Sequence, residues 1–153
     1  MVVLVVAAVL ALDQATKAWA LATLQDRVID IVPTLQLRLT YNSGFSFGMG
    51  AELGPVVAVV VVVIAFALGR AALREQNVVR CALLAAILGG ALGNIVDRAL
   101  RADAGPLSGS VVDFIAVTWY AVFNVADMFV VCGAVLLALT ELRRQPEPEP
   151  DAA

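Results

Sequence analysis

Histidine is absent from this 153-residue sequence. Its absence excludes the Ser-His-Asp and Cys-His arrangements of nucleophilic catalysis and removes the commonest protein ligand of catalytic zinc. The two cysteines, Cys81 and Cys132, lie in apolar runs without metal-type spacing, which predicts packing residues rather than ligands. We therefore expect no metal and no organic cofactor.

Charge is also scarce, with 15% charged residues and a net charge of −3. Three acidic residues of the Pro-rich tail, Glu147, Glu149 and Asp151, account for that excess, so the remainder of the chain is neutral. No basic patch is present, which argues against nucleic acid as a partner.

Apolar residues are abundant instead: 61% of the chain is hydrophobic and the mean hydropathy is +0.92. A soluble domain of this length is usually about half apolar. The sequence therefore predicts an all-α membrane protein with one integral-membrane domain over residues 1–144 and a disordered tail over residues 145–153. Four transmembrane helices are expected, at Met1–Leu24, Leu53–Leu68, Val79 to about Arg98, and about Tyr120 to Leu142.

The first apolar run also resembles a signal peptide, with Ala18-Trp19-Ala20 imitating a cleavage site. No basic region precedes the run and two charges interrupt it, which favours a transmembrane helix. Those charges, Asp13 and Lys17, are spaced i, i+4 on one helix face. Spacing alone leaves open whether the pair is purely structural or helps to hold a site.

Between the first two spans the helical pattern breaks. Leu35 to Tyr41 alternates in part and is bounded by Pro33 and Gly44, which predicts a small extra-membrane β-rich segment between helices 1 and 2. The following stretch TYNSGFSFGMG has the composition of a loop, but its Asn and Phe residues suggest a further role. We expect this segment to lie on the bilayer and to present Asn42 inward.

The basic residues predict the orientation. Arg70, Arg74 and Arg80 are expected to cluster in the turn after the second span, and Arg143 and Arg144 follow the fourth. The positive-inside rule places both ends on the cytoplasmic side, and with four crossings both termini are cytoplasmic. The polar residues with catalytic potential then all fall near the outer face: Asn42, Asn94, Arg98, Asp113, Asn124 and Asp127.

Two aspartates stand out, Asp113 and Asp127, 14 residues apart. Asp127 is expected about two helical turns below the interface, with Asn124 on the same face. An ionisable side chain at that depth is rare and indicates a functional site. Two carboxylates brought together share one proton, so that one serves as base and the other as acid.

The third span carries GGALGNIVDR, in which Gly89 and Gly93 form a small-xxx-small pair that permits close helix packing. Asn94, Asp97 and Arg98 share one face of that helix. This cluster is equally consistent with a satisfied structural network and with the lining of a site.

Four blocks occur in order along the chain: LDQATK, YNSGFSF, GGALGNIVDR, and VVDF followed by FNVAD. Together they resemble the bacterial lipoprotein signal peptidases, also called signal peptidase II, from Leu12 to the end of the fourth span. The resemblance implies an intramembrane aspartyl endopeptidase with Asp113 and Asp127 as the catalytic pair. It implies supporting or substrate-binding roles for a second set: Asp13, Lys17, Asn42, Gly90, Asn94, Asp97, Arg98 and Asn124.

By the same resemblance, the substrates are prolipoproteins, cleaved on the amino side of a diacylglyceryl-modified cysteine in the bacterial cytoplasmic membrane. We expect a monomer surrounded by phospholipid. The chain departs from the family in Ser46, where alanine is more common, in a long segment from Arg98 to Asp113, and in a short one from Asp113 to Asp127.

Three alternatives compete with this hypothesis. One is a non-catalytic scaffold protein, which would tolerate carboxamide substitutions at both aspartates. A Ser–Lys peptidase would use Lys17 with Ser43 or Ser46, but it requires a neutral lysine, whereas Asp13 on the same face favours the charged form. A small polar-lined carrier or proton-coupled transporter would also bury Asp and Asn residues. Carriers often contain repeated halves, and none is evident in this sequence.

Overall fold

The structure is a computed structural model that describes residues 1–43, 54–102 and 105–143, with the side chains of residues 54–58 left out. The glycine-rich part of the second motif block, including Ser46, lies outside the described residues. The tail over residues 145–153, which the sequence predicts to be disordered, lies outside them too.

Four helices make up most of the fold: α1 Val2–Thr23, α2 Gly54–Arg74, α3 Val78–Leu100 and α4 Val125–Leu142. Among the described residues, α1, α3 and α4 are long and apolar enough to cross a membrane. The protein is therefore of the helical membrane type. The fourth crossing, by α2, stays a prediction.

Two of the expected helix bounds are wrong. The fourth helix begins at Val125 rather than near Tyr120, because the Asn124 side chain caps it. The second helix continues to Arg74, so Arg70 and Arg74 lie within it rather than in a turn. The short connection to α3 ends at Asn77, whose side chain accepts the backbone N–H groups of the first turn of α3.

A three-stranded antiparallel sheet adjoins the helices, in the order β1 (Ile29–Val32), β2 (Leu35–Asn42), β3 (Val111–Val117). The hairpin between α1 and α2 was expected, but the third strand was not, and its place after α3 corrects the prediction of a β-rich segment confined between helices 1 and 2. The first four residues of β3 are all buried, so the strand lacks the alternation that marks a half-exposed strand in sequence.

Helix α3 is the central element and contacts each of the other three helices. Glycines make these contacts close: a Cβ on Gly89 would overlap the side chain of Val9 in α1, and one on Gly90 would lie 2.5 Å from the Ala126 carbonyl oxygen in α4. Large apolar side chains cover much of the outer surface, including Val3, Leu4 and Phe66. Apolar residues outside and polar residues inside are the arrangement that a lipid environment requires.

Candidate active site

The two aspartates with catalytic potential come from different elements. Asp113 lies in the middle of β3, and Asp127 is the third residue of α4. Asp127 is thus in the first turn of its helix, not two turns deep as expected, because the helix starts at Val125. Asp113 is 1% exposed, whereas Asp127 is partly exposed.

Neutral amide groups hold the Asp113 carboxylate. Asn124 Nδ2 donates to Asp113 Oδ1 at 2.6 Å, and Asn42 Nδ2 donates to Oδ2 at 2.9 Å. Burial raises the pKa of Asp113 above the ordinary aspartate value, and the negative charge of Asp127 acts in the same direction. The two amide hydrogen bonds, and more weakly the charge of Lys17, oppose this rise without cancelling it. Asp113 is therefore a carboxyl group biased towards its protonated form.

Neutral donors hold the Asp127 carboxylate as well. Asn94 Nδ2 donates to Asp127 Oδ1 at 2.8 Å, and the backbone N–H of Asn124 donates to Oδ2 at 3.1 Å. In return the Asn124 side chain accepts the backbone N–H of Asp127 at 3.0 Å, which completes a capping box at the start of α4. The cap fixes the orientation of the Asp127 side chain relative to its helix.

Asn124 joins the two carboxylates, since its side chain contacts Asp113 and its backbone contacts Asp127. Its amino group also donates to Asn94 Oδ1 at 3.2 Å. Asn124 is fully buried. One asparagine therefore couples the positions of both aspartates.

Beneath this pair lies a second buried cluster, centred on Lys17. The Lys17 ammonium contacts Asp13 Oδ2 at 2.8 Å, Asp97 Oδ2 at 3.1 Å and Asn94 Oδ1 at 2.9 Å. All three N–H donors of the ammonium therefore have an acceptor. Ser46, one of the two serines of the Ser–Lys alternative, lies outside the described residues.

Two members of this cluster, Gln14 and Arg101, were not predicted from the sequence. Gln14 Nε2 donates to Asp13 Oδ2 at 3.1 Å and to Asp97 Oδ1 at 3.4 Å, and so bridges the two carboxylates. Arg101 Nη1 lies 3.3 Å from Asp97 Oδ1. The i, i+4 spacing of Asp97 and Arg101 is a sequence signal that predicts this pair. Gln14 has no comparable signal apart from its place beside Asp13.

The structure gives the three polar residues of the third helix different partners. Asp97 belongs to the structural ion cluster, while Asn94 belongs to both groups because it contacts Lys17 and Asp127. Arg98 is half-buried and has electrostatic interactions with Asp127, Asp113 and Asp97. Gly90 makes no polar contact in the described site; its role is the close approach of α3 to α4.

A cavity and a groove lie beside the aspartates. A cavity of about 240 Å³ is lined by Thr40, Asn42, Ser43, Asp113 and Val122 among others. A larger groove of about 710 Å³ adjoins Asp127 and is mostly apolar, with Trp119, Tyr120, Phe123, Met128 and Val131 in its wall. A water molecule takes up about 30 Å³ of liquid volume, so both the cavity and the groove are large enough to hold more than a single water molecule.

The described residues contain no group of three metal-ligating side chains. Cys81 is buried and its thiol donates to the Ala72 carbonyl oxygen at 3.2 Å, as expected of a packing residue. Cys132 is exposed and lines the apolar groove, so the expectation that it packs against another helix is wrong.

Residues 5–143 match the model of the family described as Signal peptidase (SPase) II. This chain belongs to the signal peptidase II family. Its curated relatives include the lipoprotein signal peptidase of Bifidobacterium longum subsp. infantis, which is 40% identical over 93% of this chain and 78% of the relative. The enzyme of the same name from Mycobacterium avium is 44% identical over 90% of this chain and 76% of the relative.

Solved structures resemble the fold as well. Two structures described as a bacterial membrane enzyme superpose with TM-scores of 0.82 and 0.76, at 24% sequence identity each. The first covers 94% of both chains. At this identity the likeness concerns the fold alone. Membership of a peptidase family contradicts the carrier hypothesis.

Proposed function

We propose that this protein is an aspartyl endopeptidase that removes signal peptides from lipid-modified prolipoproteins. The observation that carries the proposal is the arrangement of Asp113 and Asp127. Asn124 joins their carboxylates, neutral donors hold them, and they adjoin a polar cavity and an apolar groove. Pairs of carboxylates with unequal surroundings are typical of acid–base hydrolysis.

The unequal surroundings assign the two roles. Asp113 is the more deeply buried and its pKa is raised, so we assign it the shared proton. Asp127, partly exposed beside the groove, is then the ionised partner and the base that activates water. These are the roles at the start of the reaction.

The reaction follows from that assignment. Asp127 takes a proton from water as the oxygen attacks the scissile carbonyl carbon, and Asp113 donates its proton to the carbonyl oxygen. The tetrahedral diol collapses when Asp127 passes its proton to the leaving nitrogen and Asp113 recovers one from a diol hydroxyl. Both carboxyl groups return to their initial state, and the products are a peptide acid and a free amine.

The apolar groove suggests where the lipid of the substrate lies. Its aromatic and aliphatic wall runs along α4 next to Asp127, which suits acyl chains attached close to the scissile bond. We therefore propose cleavage on the amino side of a diacylglyceryl cysteine. Arg98, half-buried and near both aspartates, is available to donate to a carbonyl oxygen of the bound substrate.

We also propose four membrane crossings, with both termini in the cytoplasm and the site near the outer face of the bacterial cytoplasmic membrane. Helix α2 has 21 residues, about 31 Å at 1.5 Å per residue, and exposes Val63, Ile64 and Phe66. Reporters fused near Asn77 and near Gly105 should lie on opposite sides; the same side for both contradicts this topology.

Asp113→Asn and Asp127→Asn test the catalytic pair. Cleavage of a purified lipidated precursor should fall by at least about 10²–10⁴-fold in each variant, because Asn cannot transfer the proton. The double variant should be no worse than either single one, since the pair acts as a unit. The matched control is Asp26→Asn, an exposed carboxylate after α1, which should cleave at the normal rate.

Membrane insertion and precursor binding are measured for every variant. A correctly inserted single variant that retains substantial cleavage would contradict the aspartyl mechanism.

A further inference from the structure

Lys17 is the only lysine in the sequence, and it is 1% exposed. It does not contact either aspartate of the proposed catalytic pair, yet its three hydrogen-bond partners each lead to that pair. Two of these connections run through backbone amides and the third runs through side-chain amides.

The backbone connections are alike. Asp13, bound to Lys17 through Oδ2, accepts the backbone N–H of Ala126 through Oδ1 at 3.0 Å. Asp97, bound to Lys17 through Oδ2, accepts the backbone N–H of Val112 on the same oxygen at 2.9 Å. Ala126 immediately precedes Asp127, and Val112 immediately precedes Asp113. One ammonium therefore holds the chain next to each catalytic aspartate, on two different elements.

The side-chain connection determines the orientation of two side-chain amides, those of Asn94 and Asn124. Lysine has only donors, so Asn94 must turn its oxygen towards Lys17 and its amino group towards Asp127. The same Asn94 oxygen accepts from Asn124, whose amino group also reaches Asp113. Both amides consequently direct N–H groups at the catalytic carboxylates.

We propose that Lys17 is a positioning residue that sets the separation and orientation of Asp113 and Asp127 through Asp13, Asp97 and Asn94. The inference rests on the proposed function of the aspartate pair. Without the ammonium, Asp13 and Asp97 repel each other, and they move the two backbone segments that they hold. A misplacement of about 1 Å at reacting groups costs on the order of 10²-fold in rate.

Lys17→Met is the first test, with Thr16→Val in the same turn as the matched control. The Thr16 hydroxyl bonds only to carbonyl oxygens of its own helix among the described residues, so its loss leaves the site intact. We expect kcat of Lys17→Met to fall by about 10²-fold with KM for the lipidated precursor unchanged. A fall in binding with kcat retained would overturn the proposal.

Because two unpaired buried carboxylates can prevent folding, a second variant keeps the test decisive. Lys17→Met/Asp13→Asn removes the repulsion while leaving an oxygen for the Ala126 amide, so thermal stability should recover. Activity should not recover, because Asn94 has still lost its orienting donor. Activity that returns together with stability would show that Lys17 is merely structural.

A readout independent of turnover is available because the chain has one lysine. In protein labelled with ¹⁵N-lysine and carrying a lysine-free tag, the single side-chain signal reports on Lys17. Asp127→Asn should shift that signal through Asn94, and Asp26→Asn should not; equal spectra for both would overturn the proposal. Cleavage-competent Asp113→Asn would instead contradict the proposed function, so the two failures are distinguishable.

Discussion

The protein contains two neighbouring buried groups of polar residues. The carboxylates of one group contact cations, and those of the other contact neutral amide donors. In the ion cluster, Asp13 and Asp97 face the cations Lys17 and Arg101. In the proposed catalytic pair, Asp113 and Asp127 face amide N–H donors. Both groups have hydrogen-bond partners, but among the described residues only the carboxylates of the ion cluster form direct ion pairs with cations.

The difference explains how one protein uses buried aspartates for two purposes. A carboxylate bound to a cation is held in place by a charge-assisted hydrogen bond. A carboxylate held by neutral amides is also oriented by its hydrogen bonds, but no cation contacts it directly. This arrangement orients the proposed catalytic pair without a direct ion pair, as the proposed sharing of one proton requires.

The first prediction concerns a cation placed beside Asp113, which gives this carboxylate the kind of partner found in the ion cluster. Asn42→Lys places a cation beside Asp113, where Asn42 now donates to Oδ2. The cation lowers the pKa of Asp113 and removes the shared proton, so cleavage should fall by about 10²-fold. Asn42→Met is the control, an uncharged and unbranched side chain one atom shorter than lysine. Equal activities for the two variants would show that a positive charge beside Asp113 does not affect cleavage.

The second prediction concerns stability and pH. Because the pKa of Asp113 is raised in the folded protein, the native state binds more protons than the unfolded state between the unfolded and folded pKa values. The free energy of unfolding should therefore decrease as pH rises above about 4, until the folded pKa is passed. Asp113→Asn should remove that decrease.

The predicted effect is the direction of this pH dependence, which follows from the raised pKa of Asp113. Thermal unfolding in detergent across this pH range measures it, with Asp26→Asn as the control that keeps the wild-type slope. The charged groups near Asp113 are Asp127, Lys17 and Arg98. A slope that persists in Asp113→Asn would assign the effect to another group.

The third prediction examines the outer edge of the ion cluster and has the smallest effect. Arg101 is partly exposed, so its pair with Asp97 is screened by solvent. Arg101→Gln should lower the free energy of unfolding by less than about 1 kcal/mol and leave cleavage nearly normal. Arg27→Gln, at an exposed site after α1, is the control. A loss comparable to that of Lys17→Met would make Arg101 a full member of the cluster.

Much of the fold was predictable because hydrophobic length and periodicity act locally. The positions of all four helices follow from apolar runs, and the hairpin after α1 follows from partial alternation bounded by Pro33. Strand β3 was not predictable in this way. It is buried on both faces, so its sequence shows no alternation, and only pairing with β2 shows that it is a strand.

The candidate site, like the fold, was predictable from the sequence only in part. The sequence predicted Asp113 and Asp127 as site residues because an ionisable side chain within an apolar run is rare, and the family resemblance implied the supporting set. Gln14 and Arg101 were not predicted. Only the tertiary structure decided their partners. Val112 and Ala126 carry no polar side chain, yet their backbone amides bind Asp97 and Asp13. A backbone N–H is present at nearly every residue, so contacts between distant segments, rather than residue identity, determine which amide meets which carboxylate.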